Sequence, residues 1–555
     1  MARSKVRSYL SSAMVLLAFD WPEGATRNDF LGFAIKREPG FDRNRSSWLP
    51  NRIGFEGPAP GGEDLPTNKN PIQKFMWWDA RINENDIGKA FTYTIFPVVG
   101  TKDNLLLVKT NSISTDIRIP EKEVNNIGTY FNRAVVSSQA FSKKFKRITK
   151  ENLPQALEWL ANGLEKVIPN FSQDAQSVEG AVYHLSDEVW VIPTFANYDG
   201  NISIVLDSNQ EDESNDVAKQ ILGSKATVQL IPRTKSNIMH NKMLVKFRNG
   251  NPSSLLTGSA NFTTGGLSTQ ANLLHTFRSP QLAELYLARK RFLQHDPTMP
   301  NTAKKGEWSR SINIGSARIR VFFSPEPSKS RSSIDQIIDS IHKSKKSIIF
   351  CLYSTTDKPL RDAIFEEADK GKMMFGLVNT INEPKKVADE EDVEVKPRAD
   401  TVARVEIYHR SRKDKDVYSH SLFPKKSSPK GFWWERSTLP GMGKKFPVYI
   451  HHKFIVIDAE TRNPIIYTGS ANMSNNSLHK NDENILEIRK SRRLAEVYLS
   501  EFLKLYEHYR ARSIWNQWQE GKRKDYKLMG DSSWAKDYYK VGTPKYKSRI
   551  NLSAR

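Results

Sequence analysis

The rhythm of apolar and polar positions changes near residue 150. Before it, β-branched and aromatic runs stand at Val15 to Phe19, Phe30 to Ile35, Phe91 to Val99 and Leu105 to Val108. Turn-forming stretches such as Pro58-Ala59-Pro60-Gly61-Gly62 separate them. Such runs predict strands, and no helical period of useful length interrupts them. We expect an antiparallel sheet or sandwich over residues 1–140, with nothing catalytic in it. The run Ala13 to Phe19 follows Arg3, Lys5 and Arg7 and has the outline of a signal peptide. Asp20, Trp21 and Pro22 stand where small cleavage-site residues belong, so the run reads as a strand.

Beyond 150, Leu157, Leu160 and Leu164 share one face at helical spacing. Ala181 to Leu185, Ile202 to Leu206, Ala226 to Ile231 and Lys242 to Phe247 read as strands. A helix is assigned over 186–198, although Val189, Val191, Ile192 and Pro193 favour extended structure. A similar order returns after Phe322-Phe323-Ser324-Pro325. Ile334, Ile337, Ile338 and Ile341 form a helical stripe, Ser347 to Tyr353 a strand, Leu360 to Ala368 a helix and Met373 to Val378 a strand. Strands alternating with helices predict an α/β sheet in each half. The expected division is a β-rich domain over 1–140, α/β halves over 141–315 and 316–511, and a tail over 512–555.

Composition narrows the function. A chain of 555 residues has room for about three or four domains. Lys and Arg number 84 against 62 Asp and Glu, a net charge of +22, which implies a polyanionic partner such as nucleic acid or an anionic membrane surface. One cysteine, Cys351, excludes a disulfide framework and a cysteine zinc finger, and a reducing, cytoplasmic home is expected. No apolar run is long enough to span a membrane.

The chain also repeats itself. His240-Asn241-Lys242 precedes Gly258-Ser259-Ala260-Asn261-Phe262-Thr263, and His451-His452-Lys453 precedes Gly469-Ser470-Ala471-Asn472-Met473-Ser474. The step from histidine to glycine is 18 positions in both copies. Along a strand, side chains alternate faces, so each copy sets an imidazole beside an ammonium while His452 faces the other way. Lysine, serine and asparagine donate to phosphate oxygens. Imidazole serves near neutral pH as nucleophile or proton carrier. Two such copies facing each other would make one phosphodiester-cleaving site. The adjacent His451-His452 carries no HExxH or cysteine companion, so a zinc site is not expected.

This pattern resembles the phospholipase D superfamily, with its duplicated HxKxxxxD motif and following GSxN element. The resemblance covers about residues 150–510. It implies two phospholipase D-like α/β halves packed about a pseudo-two-fold axis, with a single site between them and no cofactor. It also implies that one histidine forms a phosphohistidine while the other protonates the leaving oxygen and then activates water. Lys242, Ser259, Asn261, Lys453, Ser470 and Asn472 belong to that site by the same resemblance. The second copy has Asp458 at the motif's acid position and the first has Phe247. Five residues beyond the lysine lies on the opposite strand face, so Asp458 reads as a structural anchor, with Phe247 joining Met243 and Val245 on an apolar face. Family members often carry a carboxylate 14 residues after the motif glycine. That position is Glu483 in the second copy and Asn272 in the first. Tyrosyl-DNA phosphodiesterases of the family are similarly asymmetric, which implies His240 as nucleophile, supported by Glu483, and His451 as general acid and base. The residues alone leave the reverse assignment open.

An insertion at about 380–446 carries basic residues interleaved with aromatics. Arg410, Arg412, Lys425, Lys426, Lys430, Trp433 and Trp434 are its candidate nucleic-acid contacts, because cations track phosphates and indoles stack on bases. The tail 512–555 has 11 Lys/Arg against 4 Asp/Glu, with Trp515, Trp518, Trp534, Tyr538 and Tyr539. We expect its aromatics to pack across both halves with the charges outward. The expectation for function is a metal-independent phosphodiesterase cleaving nucleic acid, DNA first, without stable membrane insertion. Its rivals are a phospholipase D or phosphatidyl transferase, and a nucleic-acid-binding protein with a degenerate site. Oligomeric state is not legible, but both half-sites lie on one chain.

Overall fold

The computed structural model describes residues 3–58, 63–134, 141, 144–146, 148–208, 213–353, 356–381, 399–419, 450–523 and 525–554. The β-rich start forms two main antiparallel sheets and two short two-stranded ones. Met14–Asp20 lies between Lys5–Ser11 and Met76–Asp79, and Ala90–Thr101 pairs with Phe30–Glu38, Asn104–Leu107 and Ile113–Arg118. Both sheets feed one core, where Val15, Leu17 and Phe19 meet Phe33, Ile35 and Tyr93. After the short strand Glu123–Val124, the strand Ile127–Phe131 leaves this region and pairs with Leu273–Phe277 of an eight-stranded sheet. It is buried along both faces except at half-buried Tyr130, as a strand largely covered on both sides must be.

That sheet runs in the order Glu123–Val124, Ile127–Phe131, Leu273–Phe277, Asn251–Gly258, Lys242–Arg248, Ser177–Val182, Asn201–Asp207, Val228–Arg233. The second runs Ile312–Ile314, Ala317–Ser324, Asn481–Arg489, Ile465–Gly469, Lys453–Ile457, Ser347–Leu352, Met373–Val378, Val417–Ser419. Each strand holds the same sequence rank in its own list. The last three strands of each sheet are parallel and the others antiparallel. The chain is thus mixed α/β with a β-rich N-terminal region.

One core lies between the sheets. Met243, Val245 and Leu273 of the first and Phe454, Val456 and Leu486 of the second share it with Leu282 and Tyr286 of helix Pro280–Leu293 and with Tyr498 and Phe502 of helix Arg492–Gln519. Separate cores fill the outer faces, one beneath the helix Leu164–Gln173 and one beneath Ser332–His342 and Lys358–Asp369.

Three local expectations meet a different structure. The stripe Leu157, Leu160, Leu164 is split between two helices, Leu153–Ala161 and Leu164–Gln173, because Asn162 and Gly163 both adopt positive φ. The helix expected over 186–198 is only Val191–Ala196; Asp187 holds its start, accepting from the backbone N–H of Trp190 and Val191. The tail aromatics pack mainly into the N-terminal core. Trp534 lies against Phe30 and stacks on Phe75, and its indole N–H donates to the Phe30 carbonyl at 3.0 Å. Arg549 pairs with buried Asp20 at 2.6 Å. The physical reason is area: large rings cover an apolar sheet face that would otherwise meet water.

Candidate active site

The parallel strands of each sheet end at the site, where open α/β sheets present their functional groups. At the first sheet, Asp207 closes Asn201–Asp207 and its Oδ1 accepts from the Met239 backbone N–H at 2.6 Å. At the second, Asn379 follows Met373–Val378 and its Oδ1 accepts from the Ile450 N–H at 3.1 Å. Each polar strand end thereby fixes the residue preceding a motif histidine. The halves then interlock reciprocally. Ile238-Met239 pairs in parallel with Asn481-Asp482, and Ile450 bridges Ala271.

This crossing brings each histidine to the other half's support. His240 Nδ1 lies 2.9 Å from Glu483 Oε2, and His451 Nδ1 lies 2.9 Å from Asn272 Oδ1. Asn272 Nδ2 donates to the Gly266 carbonyl, so its oxygen must face His451, and the ring carries its proton on Nδ1. The Glu483 carboxylate imposes the same tautomer on His240. Both Nε2 atoms are left with a lone pair. Lys242 Nζ donates to the His240 carbonyl at 2.7 Å and Lys453 Nζ to the His451 carbonyl at 2.8 Å.

Charge in this cluster is expensive. Burial, then the ammoniums of Lys242 and Lys453, push His240 well below the usual imidazole range; the Ser470 main chain pulls the other way. Burial and the same two ammoniums depress His451. Burial and Lys453 push Lys242 far down, and burial brings Lys453 to about 7. Glu483, fully buried, is pushed up to about 7 by desolvation, against the pull of Asn481, Lys242 and Lys453. Four cation-forming groups act on one another in a dry space, so an anion among them would relieve all four.

Ser259 and Ser470 sit behind the histidine supports. Ser259 Oγ donates to Asn272 Oδ1 at 2.9 Å and accepts from the Leu273 N–H. Ser470 Oγ accepts from the Asn484 N–H at 3.0 Å. Asn261 and Asn472 each keep a buried amide oxygen without a hydrogen-bond partner among the described residues. Asp458 lies away from the site: its carboxylate accepts from the backbone N–H groups of Lys345, Lys346 and Ser347. Phe247 occupies the corresponding place in the shared apolar core. His452 packs between Phe131 and Phe454, and burial takes it down to about 3.

Of the insertion, Arg410 is held by Asp416 at 2.9 Å and Asp369 at 3.2 Å and lies over Phe365, and Arg412 lies near the Tyr408 ring. Lys425, Lys426, Lys430, Trp433 and Trp434 fall outside the described residues.

Sequence reasoning missed two tyrosines. Tyr183 and Tyr353 follow the matching strands Ser177–Val182 and Ser347–Leu352. Tyr183 meets His240 edge-on, ring centroids 4.9 Å apart, and Tyr353 meets His451 likewise at 5.6 Å. The Lys242 ammonium is 5.1 Å from the first ring and that of Lys453 is 5.7 Å from the second. An aromatic one residue past each matching strand was the available signal. Asp207, Asn379 and Asn481 were also missed; a polar residue closing a buried parallel strand marks the first two.

Residues 337–506 match the family model described as "Cardiolipin synthase, PLD-like domain". No curated protein matches the chain by sequence. Among solved structures, it is similar to phosphatidylserine synthase of Haemophilus influenzae Rd KW20 at 13% identity, covering 70% of this chain and 87% of that one, TM-score 0.43. It is also similar to yeast tyrosyl-DNA phosphodiesterase at 13% identity, covering 60% and 86%, TM-score 0.33. A third similarity is to Nuc of Salmonella typhimurium, a phospholipase D family member, at 20% identity, covering 23% and 86%, TM-score 0.20. The family-model match thus assigns a PLD-like domain to residues 337–506, the part of the chain that holds the second HxK and GSAN segments.

Proposed function

We propose that this protein is a metal-independent phosphodiesterase that cleaves nucleic acid, DNA first, through a covalent phosphohistidine. The observation that carries the reading is the unequal support of the two motif histidines, a carboxylate on His240 and an amide on His451. A carboxylate stabilises the positive charge an imidazole gains when it attacks phosphorus, whereas an amide leaves its imidazolium the stronger acid. His240 Nε2 forms the N–P bond as the P–O bond to the leaving group breaks. His451, protonated at Nε2, gives its proton to the leaving oxygen. Neutral His451 then takes a proton from water, which attacks phosphorus and releases His240. Lys242 and Lys453 neutralise the non-bridging oxygens. Asn261 and Asn472, with their amides turned, offer them N–H donors. Ser259 and Ser470 are positioning residues.

The net charge of +22 supports a nucleic-acid substrate. The test is cleavage of single- and double-stranded DNA by the pure protein in EDTA. Cleavage should persist, and His240→Ala and His451→Ala should each abolish it with the fold intact. Activity lost in EDTA and restored by magnesium would refute the mechanism. A second reading, a phosphatidyl transferase, is favoured by the description of the matched family model. Among the described residues no helix is long and apolar enough to cross a membrane. Headgroup release from anionic vesicles, with no DNA cleavage, would decide for that reading.

A further inference from the structure

Resting on the nuclease reading above, we propose that Tyr353 is the stacking platform for the nucleobase of the leaving nucleoside. The two halves place a tyrosine at matching positions but expose it differently. The Tyr183 ring lies flat on His184, centroids 3.7 Å apart and planes 20° apart. In the second half the residue after the tyrosine is Ser354, which has no ring to lay against it. Tyr353 is 40% exposed, one of few large hydrophobic side chains so open among the described residues. It is also the one that touches a motif histidine, edge-on to His451, with the Lys453 ammonium at its ring.

Chemistry assigns this side of the site. In-line attack by His240 drives the leaving oxygen out on the side away from His240, where His451 supplies its proton. The atoms bonded to that oxygen therefore emerge beside His451, against Tyr353. A flat, half-open ring next to a phosphate site matches a sugar-linked base, whose faces stack on aromatic rings without regard to sequence. The ring of Tyr183 is less exposed and has one face laid on His184, so the group retained on phosphorus is held mainly by its phosphate contacts. The outcome is a site that reads a base on the leaving side only.

The experiment compares two single-stranded deoxyoligonucleotides, identical except that one carries a tetrahydrofuran abasic residue on the leaving side of the scissile linkage. Wild-type kcat/KM should favour the base-bearing oligonucleotide by roughly 5- to 150-fold, the range expected of one base–aromatic stack. Tyr353→Ala should bring that ratio toward one, mainly through KM, and Tyr353→Phe should restore it. A Tyr353→Ala ratio equal to the wild-type ratio overturns the proposal, whether or not both rates fall, because the ring would then only position His451 and Lys453. A wild-type ratio near one overturns it as well. Wild-type protein that cleaves neither oligonucleotide sinks the nuclease reading itself, and choline release from phosphatidylcholine vesicles that falls in Tyr353→Ala would give the ring to a quaternary ammonium instead.

Discussion

Replacing Glu483 by glutamine isolates what the carboxylate contributes to the reaction. The new side chain would be isosteric, and its amide oxygen can accept from His240 Nδ1 as Asn272 accepts from His451. The tautomer is kept and the charge removed. A hydrogen bond to a charged group is worth about 1.5–3 kcal/mol and a neutral one about 0.5–1.5. The difference, about 1–2 kcal/mol, is the minimum loss when His240 carries the phosphoryl group. Direct attraction between the two charges at ~4 Å sets a ceiling of about 4 kcal/mol at an effective dielectric of ~20. The ceiling is not reached, because desolvation holds Glu483 near 7 and part of the population is already neutral. The expected fall is about 10- to 100-fold in kcat, with KM little changed. The sign in pH follows. The rate needs ionised Glu483, so its low-pH limb rises through about 7; it also needs protonated Lys453, likewise near 7, so it falls above. Wild-type kcat/KM should peak narrowly near neutrality, and Glu483→Gln should lose the rising limb. Steady-state kinetics on a DNA oligonucleotide across pH 5–9, with circular dichroism to check the fold, measures both. A fall in kcat of less than threefold, or an unchanged acidic limb, would refute the role given to the carboxylate.

Three further outcomes concern stability. Asp458→Ala removes the acceptor for the N–H groups of Lys345, Lys346 and Ser347 and should lower urea stability by about 2–4 kcal/mol; turnover per folded molecule should survive, and a lost kcat at full stability would return Asp458 to the chemistry. Arg233→Met removes the 2.8 Å partner of fully buried Asp482 and leaves it only Arg289 at 3.6 Å where the halves meet, which should cost about 3 kcal/mol in unfolding free energy, the low end for a broken buried pair; a smaller penalty than about 1 kcal/mol would mean that Arg289 compensates Asp482 by itself. Glu507 is raised by burial but held at about 2 overall by Arg510 and Lys74, below its ordinary 4.5. Its contribution, ~3 kcal/mol, is complete above pH ~4.5 and is lost as pH falls toward 2. Glu507→Gln should be less stable at pH 6 and show a flatter decline between pH 5 and 3; parallel wild-type and variant curves would contradict this.

How much of the site was legible in sequence depends on the range of the signal. The two HxK segments, the two GSAN segments and the Glu483/Asn272 asymmetry are local patterns at constant spacing, so alternation along a strand is enough to place imidazole beside ammonium. The same rule sets Phe247 and Asp458 on the other strand face. The Leu157–Leu164 stripe failed as one helix because a periodic face does not reveal a break at Asn162 and Gly163, where positive φ ends one helix and begins the next. The residues 186–198 failed in length because Asp187 caps a single short helix.

The chain by itself determined the chemistry of the groups: which side chains can attack, donate or carry a proton, and that the set occurs twice. Only the tertiary structure decided who meets whom. His240 is 243 residues from Glu483, and no local period spans such a gap. The meeting is set by the order in which eight strands assemble in each sheet and by the reciprocal pairing of Ile238-Met239 with Asn481-Asp482 and of Ile450 with Ala271. It likewise decided that Tyr353 stands open while Tyr183 is half-buried against His184, and that Trp534 fills a core whose Phe30 lies 504 residues earlier in the chain. Backbone alternation and residue chemistry act over a few positions and are written in the order of the chain. Burial of charge and apolar area depends on surfaces that exist only once distant strands have packed.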